Sequence, residues 1–176
     1  MLGIIGPLSA QVKIGYANVN AILSLMPETK TIAEELQAYE AKLGEKLRIK
    51  QDYAQAKYQE YLELTEDTEN PPTEEQLKPL EDELNRLQQE IQKEQGDGQQ
   101  KLQLRRQDKM EPIIEKVQKS IKKVADAGNY TYVLNTMDGS GVSIILHAPE
   151  EHDLTEKILN DLGITIPDEL KALSDK

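Results

Sequence analysis

ETKTIAEELQAYEAKLGEKL (28–47), a break at NPPT (70–73) and EEQLKPLEDELNRLQQEI (74–91) are the parts of residues 28–127 that determine the fold. Apolar residues recur in this stretch at steps of three and four, which is the spacing of a coiled-coil seam. They are Ile32, Leu36, Tyr39, Leu43 and Leu47 before the break, and Leu77, Leu80, Leu84, Leu87 and Ile91 after it. The pattern predicts two long helices over 28–127 that fold back on each other as an antiparallel hairpin.

The composition of the chain favours a helical protein of this kind over a compact globular domain. Only 38% of its 176 residues are hydrophobic, 30% are charged, and Phe, Trp and Cys are absent. Low apolar content with sustained periodicity indicates an ordered, elongated helical protein rather than disorder. A net charge of −11 argues against nucleic-acid binding, which requires clustered Lys and Arg. The lack of cysteine excludes disulfides and thiolate metal sites.

The two ends of the chain carry less information. Residues 1–10, MLGIIGPLSA, resemble the last part of a secretory signal, with a short apolar run and small Ala10 before a polar stretch. No basic segment precedes this run, so we expect a truncated signal and an exported protein. The alternative is an N-terminus without structure. Residues 164–176 form a polar tail to which the sequence assigns no role.

The hairpin is predicted as helices over 28–66 and 74–127, joined by an acidic tip. Residues 63–75 contain six acidic residues and no basic residue. Thr73 can cap the second helix, because acidic residues and Gln76 occupy its first turn. Two places argue against a straight second helix: Gly96 and Gly98 are poor helix formers two residues apart, and Pro112 should kink the helix. Its seam near the end is predicted as Met110, Ile114, Val117, Ile121 and Val124, with Gly128 closing the helix.

The segments on either side of the hairpin are rich in β signals. Residues 12–18 alternate as a strand, and a short helical segment follows and ends at Pro27. Residues 130–136 and 142–147 are predicted as the two strands of a β-hairpin, because a glycine-rich turn lies between them. A final helix is predicted to begin at Asp153, with Glu156 completing a capping-box-like pair, and to end at Gly163. Residues 12–27 and 128–163 therefore predict a β body, in an α+β fold that is mostly α.

The predicted sheet is too small to be stable alone, because about three strands with a covered face are needed. Self-association through the sheet would solve this problem. The residues expected to form the oligomerisation surface of the body are Ile14, Tyr16, Tyr132, Leu134, Ile144 and Leu146.

Few residues could carry chemistry. His147 and His152, with acidic neighbours, have the ligand types for a metal, but polar residues also gather in loops of this kind. The tyrosines of the hairpin are more suggestive, since Tyr offers a large amphipathic contact surface. Tyr53, Tyr58 and Tyr61 could either pack in the seam or lie on a solvent-exposed face, and the sequence does not decide between these two placements. The residues expected to contact a partner are Tyr53, Tyr58, Tyr61 and Leu62.

Three segments carry a resemblance to a known family: VKIGYANVNAIL (12–23), IEKVQKSIKKVA (114–125) leading into YVL (132–134), and DLTEKIL (153–159). Over residues 12–163 the chain resembles the OmpH/Skp family of periplasmic chaperones for outer-membrane proteins. The resemblance implies a homotrimer with a small β body and three helical-hairpin tentacles around a cavity. It implies no catalytic residues and no cofactor.

The function that the resemblance implies is that of an ATP-independent holdase, which keeps unfolded outer-membrane β-barrel proteins from aggregating in the periplasm. Familiar members of the family are basic with positive tentacle tips, whereas this chain is acidic and so is its tip. The acidic tip argues against direct contact with anionic lipid. Two alternatives remain at this point: a structural or scaffolding coiled coil of the cell envelope, and a metal-dependent enzyme that uses His147 and His152.

Overall fold

The computed structural model describes residues 12–66 and 70–166, and confirms a mostly α, α+β fold with a helical hairpin and a small sheet. The predicted signal-like segment 1–10, residues 67–69 of the tip and most of the tail lie outside the described residues. Among the described residues, no helix is both long and apolar enough to cross a membrane. The elements are β1 (Ile14–Ala17), α1 (Val19–Leu25), α2 (Pro27–Glu66), α3 (Glu74–Ala127), β2 (Tyr132–Asn135), a 3-10 turn (Glu150–His152) and α4 (Thr155–Asp161).

The chain divides into two compact units. We call the first the base unit; it comprises the chain up to Thr31 and from Met110 onward. The second is the hairpin unit, Ile32–Lys109. Both long helices contribute to both units, so each unit is described separately below.

The two long helices begin where their sequences permit. Pro27 is the first residue of α2, where its missing N–H has no intrahelical partner to lose. At the start of α3, the Gln76 side-chain oxygen accepts hydrogen bonds from the Thr73 backbone N–H (2.9 Å) and hydroxyl (3.1 Å). This is the returning half of a capping box, at the predicted position. Helix α3 is continuous through its glycines and through Pro112, and its predicted departure from straightness stays a prediction.

In the hairpin unit, side-chain pairs show that α2 and α3 are antiparallel. Tyr61 bonds to Glu81, Tyr53 bonds to Glu83, and Lys50 lies farther along against Glu90 and Glu94. The partner number on α3 rises as the number on α2 falls. The seam is confirmed, but it is thin. Its buried members are Ile32, Leu36, Leu80 and Leu87, and its other predicted members are half-buried.

The base unit has a denser core, to which α1, α3 and α4 contribute. Its largest fully buried side chains are Ile22, Met26, Val117, Leu154, Ile158 and Leu159. The predicted seam of α3 was partly wrong here, because Ile113 is buried and Ile114 is exposed. Buried Ile113, Val117 and Ser120 follow each other at steps of four and three and form one helix face. Ser120 completes this buried face, and a search for apolar residues alone does not find it because serine is polar.

The sheet consists of β1 and β2 in parallel, with Ile14 opposite Tyr132 and Tyr16 opposite Leu134. The entire helical hairpin is the connection between these strands. A parallel pair needs a long crossover, and α2 and α3 supply it.

The predicted β-hairpin after β2 was wrong in its second strand. The turn forms, because the Asp138 carboxylate accepts hydrogen bonds from the N–H groups of Ser140 (2.8 Å) and Val142 (2.9 Å). Residues 142–147 then form no strand. The N–H groups of Ile144 and Ile145 both point to the carbonyl of Thr136 (2.8 and 3.4 Å), so the regular alternation of a ladder is lost.

The helix ends needed one correction and one adjustment. The residue with a left-handed backbone after α3 is Asn129 (φ 54°), one position beyond the predicted Gly128. After α4, Gly163 has the left-handed backbone (φ 73°), as predicted. Asp153 caps the start of α4 by accepting from the N–H (2.8 Å) and hydroxyl (2.6 Å) of Thr155, the first helical residue.

Candidate assembly and client-binding surfaces

One face of the two-stranded sheet is apolar and uncovered within the described chain. Because side chains alternate along a strand, Ile14 and Tyr16 share a face with their partners Tyr132 and Leu134. Ile14, Tyr132 and Leu134 are 48%, 59% and 46% exposed. The structure therefore brings four of the six residues predicted for oligomerisation onto one surface, which we call the sheet face.

The other two predicted residues follow the turn after β2. Ile144 is exposed, and Leu146 is 90% exposed. A groove of about 660 Å³ runs beside the sheet face, and its lining includes Ile14, Tyr16 and Leu134 together with His147 and His152. These apolar side chains gain little burial within the described chain, and contiguous exposed apolar patches are typical of interaction surfaces.

The two histidines line this groove without forming a metal site. Across residues 12–66 and 70–166, no three His, Cys, Asp or Glu side chains are placed to hold a metal ion. His152 instead packs its ring edge on Tyr130, with a distance of 5.9 Å between ring centroids. The metal-dependent alternative has no support from this geometry.

Tyr130 fixes the sheet to the end of α3. Its ring carries the Lys13 ammonium 4.0 Å from its centroid, and Lys13 also donates to the carbonyl of Gly128 (2.8 Å). A Cβ atom added at Gly15 would lie 2.9 Å from the ring, and one added at Gly128 would lie 2.6 Å from it. Two glycines, one cation and the ring of His152 thus hold one aromatic ring. This clamp sets the position from which the sheet face is presented.

A polar clasp joins α4 to α3. Ser120 donates to one oxygen of the Asp161 carboxylate (2.8 Å), and Lys123 donates to the other. The hydrogen bond from Lys123, and to a smaller extent that from Ser120, holds the pKa of Asp161 below its ordinary value. Sequence patterns could not identify this clasp, because its members are 38 and 41 residues apart.

The tyrosines of the hairpin unit differ in their surroundings. Tyr53 donates to Glu83 (2.8 Å) and Tyr61 donates to Glu81 (3.2 Å), so both phenols connect α2 to α3. These hydrogen bonds raise the pKa of both phenols, which therefore remain protonated donors. Tyr58 is exposed, while Leu62 is half-buried. The four residues predicted to contact a partner are thus placed in three different ways.

These four residues do not share one helix face. At 100° per residue, Tyr53 and Tyr58 point in directions about 140° apart around α2. The residues that do share the side of Tyr53 are Ile49 and Leu64, because steps of four and eleven residues return close to the same direction. Both are exposed, like Tyr53. We call Ile49, Tyr53 and Leu64 the arm stripe.

Comparison with known proteins identifies the family. The sequence model of the family described as outer membrane protein (OmpH-like) matches residues 13–162, which is most of the chain. The chain belongs to the OmpH-like family. Members of this family are chaperones rather than enzymes, which supports a chaperone role. No curated protein matches it significantly.

The fold of this OmpH-like chain is also found in a solved structure. A candidate outer membrane chaperone (OmpH-like) from Caulobacter crescentus CB15 superimposes with a TM-score of 0.66. The two sequences are 14% identical, and the match covers 95% of this chain and 94% of the other. The fold is therefore maintained at an identity too low to carry over individual residues.

Sequence reasoning named Tyr53 but missed Ile49 and Leu64 of the arm stripe of this OmpH-like chain, although a signal for them existed. Ile49 and Leu64 lie off the seam that we traced, and an apolar residue off the seam of a two-helix hairpin has only solvent or a partner to face. Tyrosine content drew attention to Tyr53, which belongs to the stripe, and to Tyr58 and Tyr61, which do not. Periodicity around the helix was the better guide, because it groups residues by direction.

Proposed function

We propose that this OmpH-like protein is an ATP-independent periplasmic holdase that binds unfolded outer-membrane β-barrel proteins. The observation that supports this best is the combination of an uncovered apolar sheet face with a hairpin unit whose helices bury few side chains. The assembly surface in this proposal is the sheet face together with the exposed side chains of Ile144 and Leu146, and three copies form a homotrimer. Clients then contact the hairpin units.

The physical basis of holding is mass action. A protein that binds unfolded chains lowers their free concentration, and aggregation falls because it depends steeply on that concentration. Several weak contacts on linked copies give a long residence time without a single tight site. No ATP is needed, because release follows when the client folds into a more stable state elsewhere.

The test of holding is light scattering from a urea-denatured outer-membrane β-barrel protein after dilution into buffer. With a stoichiometric amount of chaperone trimer, we expect scattering to fall by most of its amplitude, with or without ATP. Unchanged scattering would refute the holdase proposal. Binding of partners that are already folded, without any effect on unfolded barrels, would favour a scaffolding role instead.

The test of assembly is a charge placed on the apolar surface of the base unit. Ile144→Asp should dissociate the oligomer, because an unpaired carboxylate in an apolar interface loses its hydration. Leu104→Asp is the matched control, since Leu104 is similarly exposed but lies in the hairpin unit. Mass by multi-angle light scattering should fall to that of a monomer only for Ile144→Asp. An unchanged mass would show that the surface around Ile144 does not assemble the protein.

A further inference from the structure

The arm stripe and the charge around it specify a class of client. Ile49, Tyr53 and Leu64 are exposed on one side of α2, over fifteen residues or about 22 Å of helix. An extended polypeptide of about seven residues covers this length. An unfolded segment of that size is therefore the occupant whose dimensions match.

The chain around the arm stripe carries a strongly negative net charge. Residues 51–92 contain twelve acidic and three basic residues, a net charge of −9. Residues 101–127 of α3 contain eight basic and four acidic residues, a net charge of +4. The acidic character of the protein is thus concentrated around the arm stripe, and not spread evenly along the hairpin.

The basic residues near the stripe already have acidic neighbours. Lys57 pairs with Glu60 (2.7 Å), and Arg86 has Glu83 and Glu90 within 3.9 Å. Residues 51–92 therefore contain more carboxylates than their own basic residues can neutralise. A cationic partner would lower their mutual repulsion, whereas an anionic partner would increase it.

The aromatic rings of the hairpin unit also accept cations within the chain. The Lys57 ammonium lies 5.9 Å from the centroid of Tyr53, and the Arg105 guanidinium lies 4.6 Å from that of Tyr39. Because Tyr53 donates its hydroxyl to Glu83, a carboxylate is fixed at the edge of an exposed ring. A ring face beside a carboxylate is a good site for Lys or Arg, which gain cation–π attraction and an ion pair together.

We propose that the hairpin unit selects unfolded segments in which Lys or Arg alternate with apolar residues. Apolar side chains of the segment cover Ile49, Tyr53 and Leu64, while its cations face the carboxylates of residues 51–66 and 70–92. This inference rests on the proposed holdase function and names the client segments that the holdase prefers.

Three fluorescein-labelled peptides of about 15 residues test the proposal. They share the same Leu, Val and Tyr positions and carry Lys, Gln or Glu at the remaining positions. Fluorescence anisotropy with the full-length protein at 20 mM NaCl should give a Kd at least tenfold lower for the Lys peptide than for the Glu peptide. At 500 mM NaCl the ratio should approach one, because salt screens exposed charges. Equal binding of both peptides at low salt would overturn the proposal.

Two matched charge variants locate the effect. E60Q/E63Q/E66Q removes three exposed carboxylates from the end of α2 that carries Leu64, and it should weaken the Lys peptide about fivefold, as expected for three exposed ion pairs. E111Q/E115Q/D126N removes the same charge from the exposed side of α3 in the base unit and should change its Kd less than twofold. Equal effects of both variants would show that net charge alone, and not the arm stripe, selects the peptide.

The variant I49S/Y53S/L64S tests the apolar part, and it should weaken all three peptides by a similar factor. Retention of full binding would overturn the assignment of the stripe.

The aggregation assay separates the two proposals. If wild-type protein suppresses aggregation of the denatured barrel but shows no charge preference, only the selectivity proposal fails. If it does not suppress aggregation, the holdase proposal fails whatever the peptides do.

Discussion

The base unit and the hairpin unit are built from the same two long helices, yet they bury very different amounts of apolar surface. In the base unit, Ile22, Leu154 and Ile158 are fully buried, because α1, α4 and the sheet cover α3. In the hairpin unit, α2 and α3 have only each other, and a pair of helices can cover one stripe on each. The difference shows that a helix acquires a firm core from its neighbours rather than from its own sequence.

The same difference separates the roles of the two units. Dense packing in the base unit holds the sheet face in place through the Tyr130 clamp. The hairpin unit leaves most of its side chains in water, where they are available to a partner at little cost in stability. We therefore expect stability to reside mainly in the base unit and client binding mainly in the hairpin unit.

The largest expected effect comes from deleting a core side chain of the base unit. Ile158→Ala should lower the free energy of unfolding by about 2–5 kcal/mol, because it leaves a cavity at a fully buried site. Leu43→Ala, at a half-buried position of the hairpin seam, should cost about 1 kcal/mol. Urea denaturation followed by circular dichroism at 222 nm measures both. Equal losses would contradict the contrast between the units.

A second prediction is that replacing glycine by alanine changes stability in opposite directions at two positions. Gly128→Ala should destabilise the protein by about 1–3 kcal/mol, because the new methyl group would lie 2.6 Å from the clamped ring of Tyr130. Gly44→Ala should stabilise it by about 1 kcal/mol, because the helix there has open space and Ala is the better helix former. Thermal unfolding monitors both changes. In a Tyr130→Ala background the cost of Gly128→Ala should largely disappear, and a persistent cost would show that the ring is not its cause.

A third prediction concerns pH. Since the pKa of Asp161 is lowered in the folded protein, its ionised form is stabilised by folding. That contribution is present above the ordinary carboxyl pKa of about 4, and it is lost as pH falls through the lowered value. The urea midpoint of Asp161→Asn should therefore be lower than that of the wild type at pH 7, with the difference shrinking below about pH 4. Asp108→Asn, at an exposed position of α3, is the control; an identical pH dependence for both variants would contradict the clasp.

The smallest effect is expected for the phenol that bridges the hairpin. Tyr53→Phe removes a hydrogen bond between two solvent-accessible side chains and should change stability by less than about 0.5 kcal/mol. Urea denaturation provides the measurement. A loss above 1 kcal/mol would mean that the hairpin unit depends on its polar contacts more than its exposure indicates.

Most of the fold followed from the sequence, and the errors have identifiable causes. The bounds of α2 and α3 were predicted within one residue, because prolines, caps and apolar periodicity all agree there. The buried face of α3 near Ile113 was misassigned because Ser120 belongs to it, and hydrogen bonds to distant α4 make a buried serine acceptable there. The second strand of the β-hairpin failed because residues 142–147 make only an isolated antiparallel bridge, Met137 with Ser143, before the N–H groups of Ile144 and Ile145 converge on the carbonyl of Thr136.

The sequence by itself determined the two long helices, their reversal at residues 70–73 and the acidic character around the tip. These features depend on neighbours a few positions apart, where spacing and charge can be read directly. Only the tertiary structure decided that β1 and β2 are parallel, that Tyr130 is clamped between Gly15 and Gly128, and which apolar residues stay exposed. Each of these depends on contacts between residues far apart in the chain. A local sequence pattern does not predict which distant residues will be in contact.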